Sequence, residues 1–339
     1  MTHAVIGVDG GTSKTIALVA DLEGNIIGAA RGPGSNWTGT DVEIPMAVVI
    51  RTVHQAMEQA QVDQDDVLMG MFTLAGADWP EDHMHRQLTL ERAAIAQHVC
   101  VKNDTFGGLR AGTSAPYGIV ISAGTAANTA VIAPDGREWA FGYYQSYGGA
   151  LDLSKEAIEA ILRAEDGRGE PTILTALVLN HLSFTNLEEL LRARIARRID
   201  LTLQLSLCPL VFEAAMEADR VAGEMLVKHG TALAEYATAL IRRFDMQQVE
   251  FDMVLAGSLF KGKGPLLIET IAQAVHRFAP RARVLRSRFE PAVGAVLLAY
   301  DALDLSVGEP VYETLVKTVP DGGFFNTATF DNGSVGYEL

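Results

Sequence analysis

Three short loops in this chain combine a glycine with a hydroxyl residue, and each follows an apolar run typical of a buried strand. They are Gly11-Thr12, Gly124-Thr125 and Gly257-Ser258. Because glycine has no Cβ, its backbone N–H can approach an anion closely, and the neighbouring hydroxyl adds another donor. One such loop is weak evidence, since Asp-Gly-Gly is also an ordinary hairpin turn. Three of them suggest two halves that face each other and grip one polyphosphate.

Two aspartates lie at the ends of predicted strands. Asp9 opens the stretch DGGTSKT, and Asp104 ends HVCVKND. Open α/β sheets bind ligands at the carboxyl ends of their strands, which favours a functional role for Asp104. The pattern of three Gly-hydroxyl loops favours one for Asp9. Asp9 could otherwise be a turn residue, and Asp104 an N-cap of the next helix. An ordinary aspartate pKa of about 3.9 would keep Asp104 ionised at neutral pH. The ammonium of Lys14 either points to solvent or contacts phosphate.

The chain lacks the sequence motifs of several other kinds of site, which disfavours them. The chain has no GxxxxGK[ST], so a P-loop is excluded, and its eight histidines show no HxxxH or HExxH spacing. Cys100 and Cys208 lie far apart and outside any CxxC, which disfavours structural zinc and iron–sulfur ligation. We interpret both thiols as packed side chains in a reducing compartment.

The composition predicts a globular intracellular protein with a large core. Of 339 residues, 48% are hydrophobic and 20% charged, and this length favours two domains. Lys plus Arg number 27 against 42 Asp plus Glu, a net charge of −15, so nucleic acid and anionic membranes are not expected as partners. A polyanionic ligand would therefore need a divalent cation. No signal peptide or apolar run of about 20 residues is visible, and we expect a cytoplasmic location.

The order of elements predicted over residues 4–112 is βββ-α-β-α-β-α. The three-strand meander that opens the chain is repeated at 117–142, where Gly124-Thr125 falls on Gly11-Thr12. This duplication is the most informative feature of the organisation. Residues 150–245 read as mostly helical, and 249–303 as strand, Gly-Ser loop, helix, strand and helix. Residues 305–339, which contain several prolines and glycines, are predicted to be an irregular appendage.

These motifs resemble the actin/Hsp70/sugar-kinase superfamily. Within it, residues 4–303 are similar to the N-acetylglucosamine kinase branch, grouped with the BadF/BadG/BcrA/BcrD ATPases. The matching segments are GVDGGTSKT, VKNDT, SAGTAAN, LAGSLF and PAVGAVLLA. The resemblance implies an α/β fold of the two-domain actin-like ATPase type, a duplicated ribonuclease H-like βββαβαβα unit with nucleotide in the interdomain cleft. The implied domains are 1–113 and 114–304, with a helical insertion at about 150–245 and a C-terminal extension at 305–339.

The resemblance also implies roles for particular residues, with ATP and Mg²⁺ as cofactors, a small-molecule sugar as substrate and a homodimer as the assembly. Asp104 is the implied catalytic base, and Asp9 holds Mg²⁺ through water. The implied nucleotide contacts are Gly10, Gly11, Thr12, Lys14, Thr15, Gly124, Thr125, Gly257 and Ser258. The implied substrate contacts are Asn36 in SNW (35–37), Gly76 and Asp78 in LAGAD, Asn103 and Gly148. The acceptor would be N-acetylglucosamine, glucosamine or a related hexose.

The chain departs from the family pattern at the connector after the second meander. SYGGALDL places Gly149 and Ala150 where amino-sugar kinases usually carry two acids, and Asp152 lies three residues beyond Gly149. Ala126-Ala127 likewise replaces a usual Gly-Ser. Two alternatives therefore stay open: an ATPase that drives a partner enzyme, and a nucleotide-binding sensor with a decayed substrate loop. Nearby Tyr143, Tyr144 and Tyr147 either pack the hinge or face the substrate.

Overall fold

The first half of the chain forms a five-stranded mixed sheet. The computed structural model describes residues 3–36 and 42–325, so Trp37 of the SNW motif lies outside the described residues. The strands are β1 (Ala4–Gly10), β2 (Lys14–Asp21), β3 (Ile26–Pro33), β4 (Val67–Leu74) and β5 (His98–Asn103). Their order across the sheet is β3-β2-β1-β4-β5. The first three strands are antiparallel neighbours, whereas β4 and β5 run parallel to β1.

A second five-stranded sheet repeats this arrangement. Its strands are β6 (Gly118–Ala123), β7 (Ala127–Ile132), β8 (Glu138–Ala140), β9 (Phe251–Ala256) and β10 (Ala282–Arg286). Read from the opposite edge, their order is β8-β7-β6-β9-β10, so each strand matches its counterpart in the first sheet. The antiparallel meander followed by two parallel strands recurs as well. The duplication predicted from the Gly-Thr turns is confirmed, and the fold is the duplicated actin-like α/β type.

Helices cover and separate the two sheets. Those of the first half are α1 (Glu43–Ala60), α2 (Pro80–Ala93) and α3 (Asp104–Gly112). The mostly helical region consists of α4 (Ala150–Glu165), α5 (Leu174–His181), α6 (Leu187–Ile195), α7 (Leu201–Leu205), α8 (Cys208–Met216) and α9 (Arg220–Arg243). They are followed by α10 (Leu266–His276), α11 (Pro291–Ala302), α12 (Glu309–Thr318) and α13 (Gly322–Phe325). Short 3-10 turns lie at Gly142–Tyr144 and Ser258–Lys261.

The helices α3 and α11 lie between the sheets and join the two halves. Val293 and Val296 of α11 are buried with Val5 of β1, on the face of the first sheet opposite α1. Phe106 of α3 is buried with Val254 of β9. Strands buried on both faces need nearly continuous apolar sequence, which explains why β1 and β9 read as apolar runs. Because α3 packs on α11, the strand ends of both sheets open towards one cleft.

The extension after residue 304 is not irregular over its described part, which corrects the prediction for that segment. Residues 309–318 form α12, whose Leu315 is fully buried against the α11 side of the first sheet. Pro310 lies in the first turn of this helix, where the absence of an N–H costs nothing. Pro310, one of the prolines that suggested irregular structure, therefore lies at the start of a helix. Residues 326–339 of the predicted appendage lie outside the described residues.

Across residues 3–36 and 42–325, no single helix is long and apolar enough to span a membrane. The bent pair Leu201–Met216 and Arg220–Arg243, which turns by 115°, reaches the required length and composition only when both helices are taken together. The domain boundaries at 113/114 and 304/305 remain a prediction.

Candidate active site

A cavity of about 390 Å³ lies where the strands of both sheets end. Ligand pockets typically span roughly 300–1,000 Å³. The structure brings most of the predicted site residues to its wall. These are Asp9, Gly11, Thr12, Lys14, Asn36, Gly76, Asp78, Asn103, Asp104, Gly124, Thr125, Gly257 and Ser258. Residues more than 240 positions apart in the sequence thus share one cavity, because the duplicated topology directs both sets of strand ends into the cleft.

The tips of the two duplicated hairpins meet across this cavity. The β1–β2 turn is closed by a hydrogen bond from Gly11 N to Lys14 O (2.9 Å), and the β6–β7 turn by one from Gly124 N to Ala126 O (2.9 Å). Ser13 Oγ of the first turn lies 2.8 Å from Thr125 Oγ1 of the second. The facing halves predicted from the Gly-Thr loops are therefore present. Ser13 was missed as a site residue, although its hydroxyl is in the same motif.

The third loop adjoins the second hairpin. Gly257 follows β9 with φ +99°, and a Cβ at this position would lie 2.4 Å from Ala123 O. Only glycine combines this left-handed backbone with so close an approach to β6. The following Ser258 begins the 3-10 turn, and its Oγ is 3.9 Å from the Cβ position of Gly124. Thr12, Thr125 and Ser258, the hydroxyl residues of the three loops, therefore line the same cavity.

Asp104 is the first residue of α3, and the N-cap is its neighbour Asn103. The Asn103 side chain accepts a hydrogen bond from Thr105 N (3.1 Å), so the cap function proposed for Asp104 belongs to Asn103. The Asp104 carboxyl faces the cavity. Burial, with further contributions from Asp9 and Asp78, raises its pKa to about 7. The expectation of an ordinary aspartate pKa was wrong, because sequence alone does not reveal how much water the fold removes.

Asp9 lies in the same wall, and its pKa is also raised, to about 6. Burial is the main cause; nearby Lys14 opposes the rise, and Glu290 adds to it. The Lys14 ammonium has its pKa lowered by burial, so it does not project freely into solvent. Asp9, Asp78, Asp104 and Glu290 face the cavity with Lys14 and Lys261. This excess of acids over bases would repel a polyphosphate that carried no cation.

The C-terminal extension reaches the phosphate-loop end of the cavity. Lys14 Nζ donates a hydrogen bond to the carbonyl of Phe325, and Arg31 Nη1 donates one to Phe324 O at 2.8 Å. Phe325 is buried and lines the cavity. A cation that could contact phosphate thus has a backbone carbonyl as its partner. The sequence carried no signal for this contact, because it joins residues 311 positions apart.

The opposite end of the cavity is built by side-chain amides. Asn103 Nδ2 donates to Asp78 Oδ1 (2.8 Å), and Asn128 Nδ2 donates across the cleft to Asn103 Oδ1 (3.2 Å). Gly142 N in turn donates to Asn128 Oδ1 (2.9 Å). Burial raises the pKa of Asp78, and neighbouring Asp82 adds to the effect. The network fixes these polar groups in place before any ligand arrives.

Two amide oxygens at the cavity have no hydrogen-bond partner among the described residues. Asn36 uses its Nδ2 to donate to Thr12 Oγ1 (2.9 Å), while its Oδ1 is buried and unpaired. Gln145 donates from Nε2 to Tyr147 O (3.3 Å), and its Oε1 is likewise buried and unpaired. Buried acceptors without donors are costly and rare in native proteins, so each indicates a place for a ligand donor. Gln145 was missed from the sequence because it lies in a connector without a motif, and Asn128 was missed although it is the last residue of SAGTAAN.

Three predicted site residues do not line the cavity. Thr15 is fully buried and donates its hydroxyl to Pro33 O and towards Ser35 Oγ, both at 2.8 Å. A Cβ on Gly10 would lie 2.6 Å from Leu74 Cδ2, and one on Gly148 would lie 2.5 Å from Leu233 Cδ2. These contacts give all three positions a packing function.

In the connector that departs from the family pattern, Gly149 has no room for a side chain. A Cβ on Gly149 would lie 2.3 Å from Thr125 O, so no acid fits at this position. The Asp152 side chain accepts hydrogen bonds from Gly148 N (3.1 Å) and Gly149 N (3.2 Å), and it is not part of the cavity wall. Asp152 therefore caps the start of α4 and does not replace the missing acids. Tyr143 lines the cavity, whereas Tyr147 donates to Glu156 Oε1 (3.0 Å) and packs on α9.

The donor set suits Mg²⁺ held mostly by water and phosphate. No group of three or more His, Cys, Asp or Glu that could hold a metal ion occurs in the described ranges. Mg²⁺ is usually bound through one or two carboxylates plus substrate phosphates and keeps several waters, which Asp9 beside the hairpin tips can accommodate. Neither cysteine belongs to this wall: Cys208 is fully buried in the helical core, where burial raises its pKa, and Cys100 is half-buried in β5.

Comparison with known proteins agrees with this architecture. The family model of the BadF/BadG/BcrA/BcrD ATPases matches residues 6–299. An N-acetyl-D-glucosamine kinase of Dictyostelium discoideum is 25% identical over 312 residues, covering 88% of this chain and 98% of that protein. An N-acetylmuramic acid/N-acetylglucosamine kinase of Clostridium acetobutylicum is 23% identical, covering 88% and 99%.

Among solved structures, a ROK family glucokinase from Streptomyces griseus in complex with glucose and AMPPNP shares the fold. Its TM-score is 0.60 at 18% identity, and the match covers 88% of this chain and 99% of the glucokinase. At that identity the likeness supports the fold alone. The family match, by contrast, extends over both duplicated halves, and this chain is therefore a member of the BadF/BadG/BcrA/BcrD ATPase family.

Proposed function

We propose that the protein is an ATP-dependent kinase that phosphorylates a hydroxyl of N-acetylglucosamine, glucosamine or a related hexose. The observation that carries the proposal is the placement of Asp104 in one cavity with the two facing hairpin tips. Phosphoryl transfer needs in-line placement, charge neutralisation and a group that accepts the proton of the attacking hydroxyl. The cavity offers a residue for each requirement. The kinase names of the two full-length relatives support the same activity.

We assign the phosphates to the end formed by the Gly11-Thr12, Gly124-Thr125 and Gly257-Ser258 loops. Their hydroxyls would bind the phosphate oxygens and Lys14 adds a cation, whereas the N–H groups of Gly11 and Gly124 already close the two hairpin turns. Mg²⁺ beside Asp9 would supply neutralisation of the phosphate charge when bound. The acid excess of the wall supports this need for a cation.

We assign the sugar to the amide-lined end. The unpaired oxygen of Gln145 would accept a hydrogen bond from a sugar hydroxyl or amide donor, and Asp78 provides a further acceptor. Asn36, which donates to Thr12 of the first phosphate loop, would offer its unpaired oxygen where the two ends meet. A sugar has many donors and fits a site with several buried acceptors. The site lacks acids at positions 149 and 150, so recognition would rest on these three side chains.

Asp104 would take the proton from the attacking hydroxyl. A base with a pKa of about 7 holds a proton more firmly than an ordinary aspartate and is still largely ionised somewhat above neutral pH. Closure of the two halves over both ligands would exclude water, so that phosphate is transferred to the sugar. We further propose a cytoplasmic homodimer, as the resemblance implies.

The test is ADP release by the purified protein with Mg-ATP and a panel of amino sugars, hexoses and polyols. The proposal predicts turnover that depends on one class of hexose, and a phosphorylated sugar in the product mixture by mass spectrometry. ATP hydrolysis that no sugar accelerates would overturn it and favour an ATPase that drives a partner. Mg-ATP binding with neither hydrolysis nor transfer would favour a sensor.

A further inference from the structure

Three exposed aromatic rings lie together at the sugar end of the cavity. Trp79, Tyr143 and Tyr144 are 45%, 51% and 69% exposed, although large aromatic side chains are usually buried. The Trp79 and Tyr143 rings are nearly parallel with centroids 6.0 Å apart, and Tyr144 is tilted against Trp79 at 6.4 Å. We call this surface the aromatic platform. It is a contiguous apolar patch and not a set of scattered exposed residues.

The platform is built from both halves of the protein. Trp79 comes between β4 and α2 in the first half, whereas Tyr143 and Tyr144 form the 3-10 turn that follows β8 in the second. Trp79 N donates to Asp82 Oδ2 (3.0 Å) at the start of α2, and Tyr144 also stacks on Trp139 at 6.3 Å. A ligand lying on the platform would contact both halves at once.

The platform continues directly into the cavity. Tyr143 belongs to the cavity wall and to the platform, and Asp78, which precedes Trp79 in the chain, lies within the wall. A molecule whose first part lies beside Asp104 can therefore extend over the rings without a gap. Flat aromatic faces bind ligands with one apolar face and polar edges, and a pyranose ring has this character.

We propose that the platform is a second sugar subsite, and that the preferred acceptor is a disaccharide of hexose or amino-hexose units. One ring enters the cavity, and the other contacts the exposed rings of Trp79 and Tyr144, whose planes are inclined by 58° to each other. The inference rests on the proposed sugar kinase function and specifies its substrate class. The continuity of the platform with the cavity favours a glycan over a protein partner.

The experiment compares KM for a monosaccharide and its disaccharide in two pairs. Glucosamine is compared with chitobiose, and N-acetylglucosamine with its β-1,4-linked dimer. Wild type is expected to show a lower KM for the disaccharide by about two- to tenfold, which corresponds to about 0.4–1.4 kcal/mol. Trp79→Ala and Tyr144→Ala should remove that advantage and leave kcat/KM for the monosaccharide unchanged. Trp79→Phe, which keeps a ring, should restore most of it.

A second readout reports binding without turnover. Trp79 fluorescence should change on titration with the disaccharide and not with the monosaccharide, and Trp79→Phe should abolish the change. Equal KM values for both sugars, or an unaltered disaccharide preference in Trp79→Ala and Tyr144→Ala, would overturn the subsite while leaving the kinase assignment intact. Absence of phosphorylation of every sugar with intact Mg-ATP binding would instead refute the proposed function.

Discussion

Ser13 and Thr125, which are 112 positions apart in the chain, meet with their hydroxyl oxygens 2.8 Å from each other across the cleft. Each belongs to the first hairpin turn of one copy of a duplicated meander. The contact shows that the two turns face one another, and a polyphosphate bound between them would replace this hydrogen bond. Asp104, the first residue of α3 between the two sheets, lines the same cavity.

Replacing Asp104 by Asn should nearly abolish turnover. The amide keeps the shape of the side chain but cannot accept a proton, and general-base assistance is worth about 10²–10⁴-fold. Mg-ATP affinity should stay largely unchanged, because the substitution removes no phosphate donor. Steady-state ADP release measures the first effect and calorimetry the second. A variant with the wild-type rate would remove Asp104 from the mechanism.

The activity should fall on the acid side of neutral pH. The base must be deprotonated to act, and its pKa is raised to about 7, so kcat/KM for the sugar should decline as pH drops through that value. Rate measurements from acid to mildly alkaline buffers at saturating Mg-ATP test this. The residual rate of Asp104→Asn serves as the control and should lack this limb. If kcat/KM declined only near the ordinary aspartate pKa, the result would contradict the buried environment assigned to Asp104.

Gln145 should control sugar affinity without affecting nucleotide affinity. Its buried Oε1 has no partner among the described residues, so a ligand hydrogen bond is expected there. Gln145→Leu should raise the sugar KM by up to about tenfold, the worth of one neutral hydrogen bond. The KM for ATP should not move. Gln145→Glu retains the acceptor and is the matched variant; if Leu and Glu behave alike, the contact is not made.

The C-terminal helix should compete with nucleotide for Lys14. The ammonium donates to the Phe325 carbonyl, and this contact must be given up if Lys14 binds phosphate. A chain that stops after Asp321 should therefore bind Mg-ATP several-fold more tightly by calorimetry. In a Lys14→Ala background the same truncation should have no effect, which completes a double-mutant cycle.

Phe325 is also part of the buried core, so its removal can destabilise the fold. Thermal melting of the truncated chain is the control that shows whether it is still folded. A folded truncated chain with weaker Mg-ATP binding would contradict the competition. In that case the Phe325 carbonyl would hold Lys14 in place for the phosphates.

The sequence predicted the features that leave a local or repeated pattern. The repeated three-strand meander with Gly-Thr at its first turn indicated the duplication, and all three Gly-hydroxyl loops do reach one cavity. Features that depend on distant contacts could not be predicted. The near-neutral pKa of Asp104 comes from burial between two sheets, and the Lys14–Phe325 contact joins opposite ends of the chain.

The sequence also did not reveal that some residues of the motifs have packing roles. Thr15 stands in the phosphate-loop motif, yet its hydroxyl is used by Pro33 and Ser35, because side chains alternate between the faces of a strand. Gln145 shows the reverse case. It lies in a connector without a motif and becomes part of the site only because the 3-10 turn at Gly142–Tyr144 bends the chain into the cleft.

The most direct test of the central claim is a crystal structure of the protein with Mg²⁺ and a non-hydrolysable ATP analogue. A polyphosphate clamp predicts that the phosphates separate the Ser13 and Thr125 hydroxyls and lie between their turns, with the terminal phosphate facing Asp104 and the metal beside Asp9. Nucleotide bound elsewhere, or at this cleft with its phosphates directed away from both hairpin tips, would contradict it.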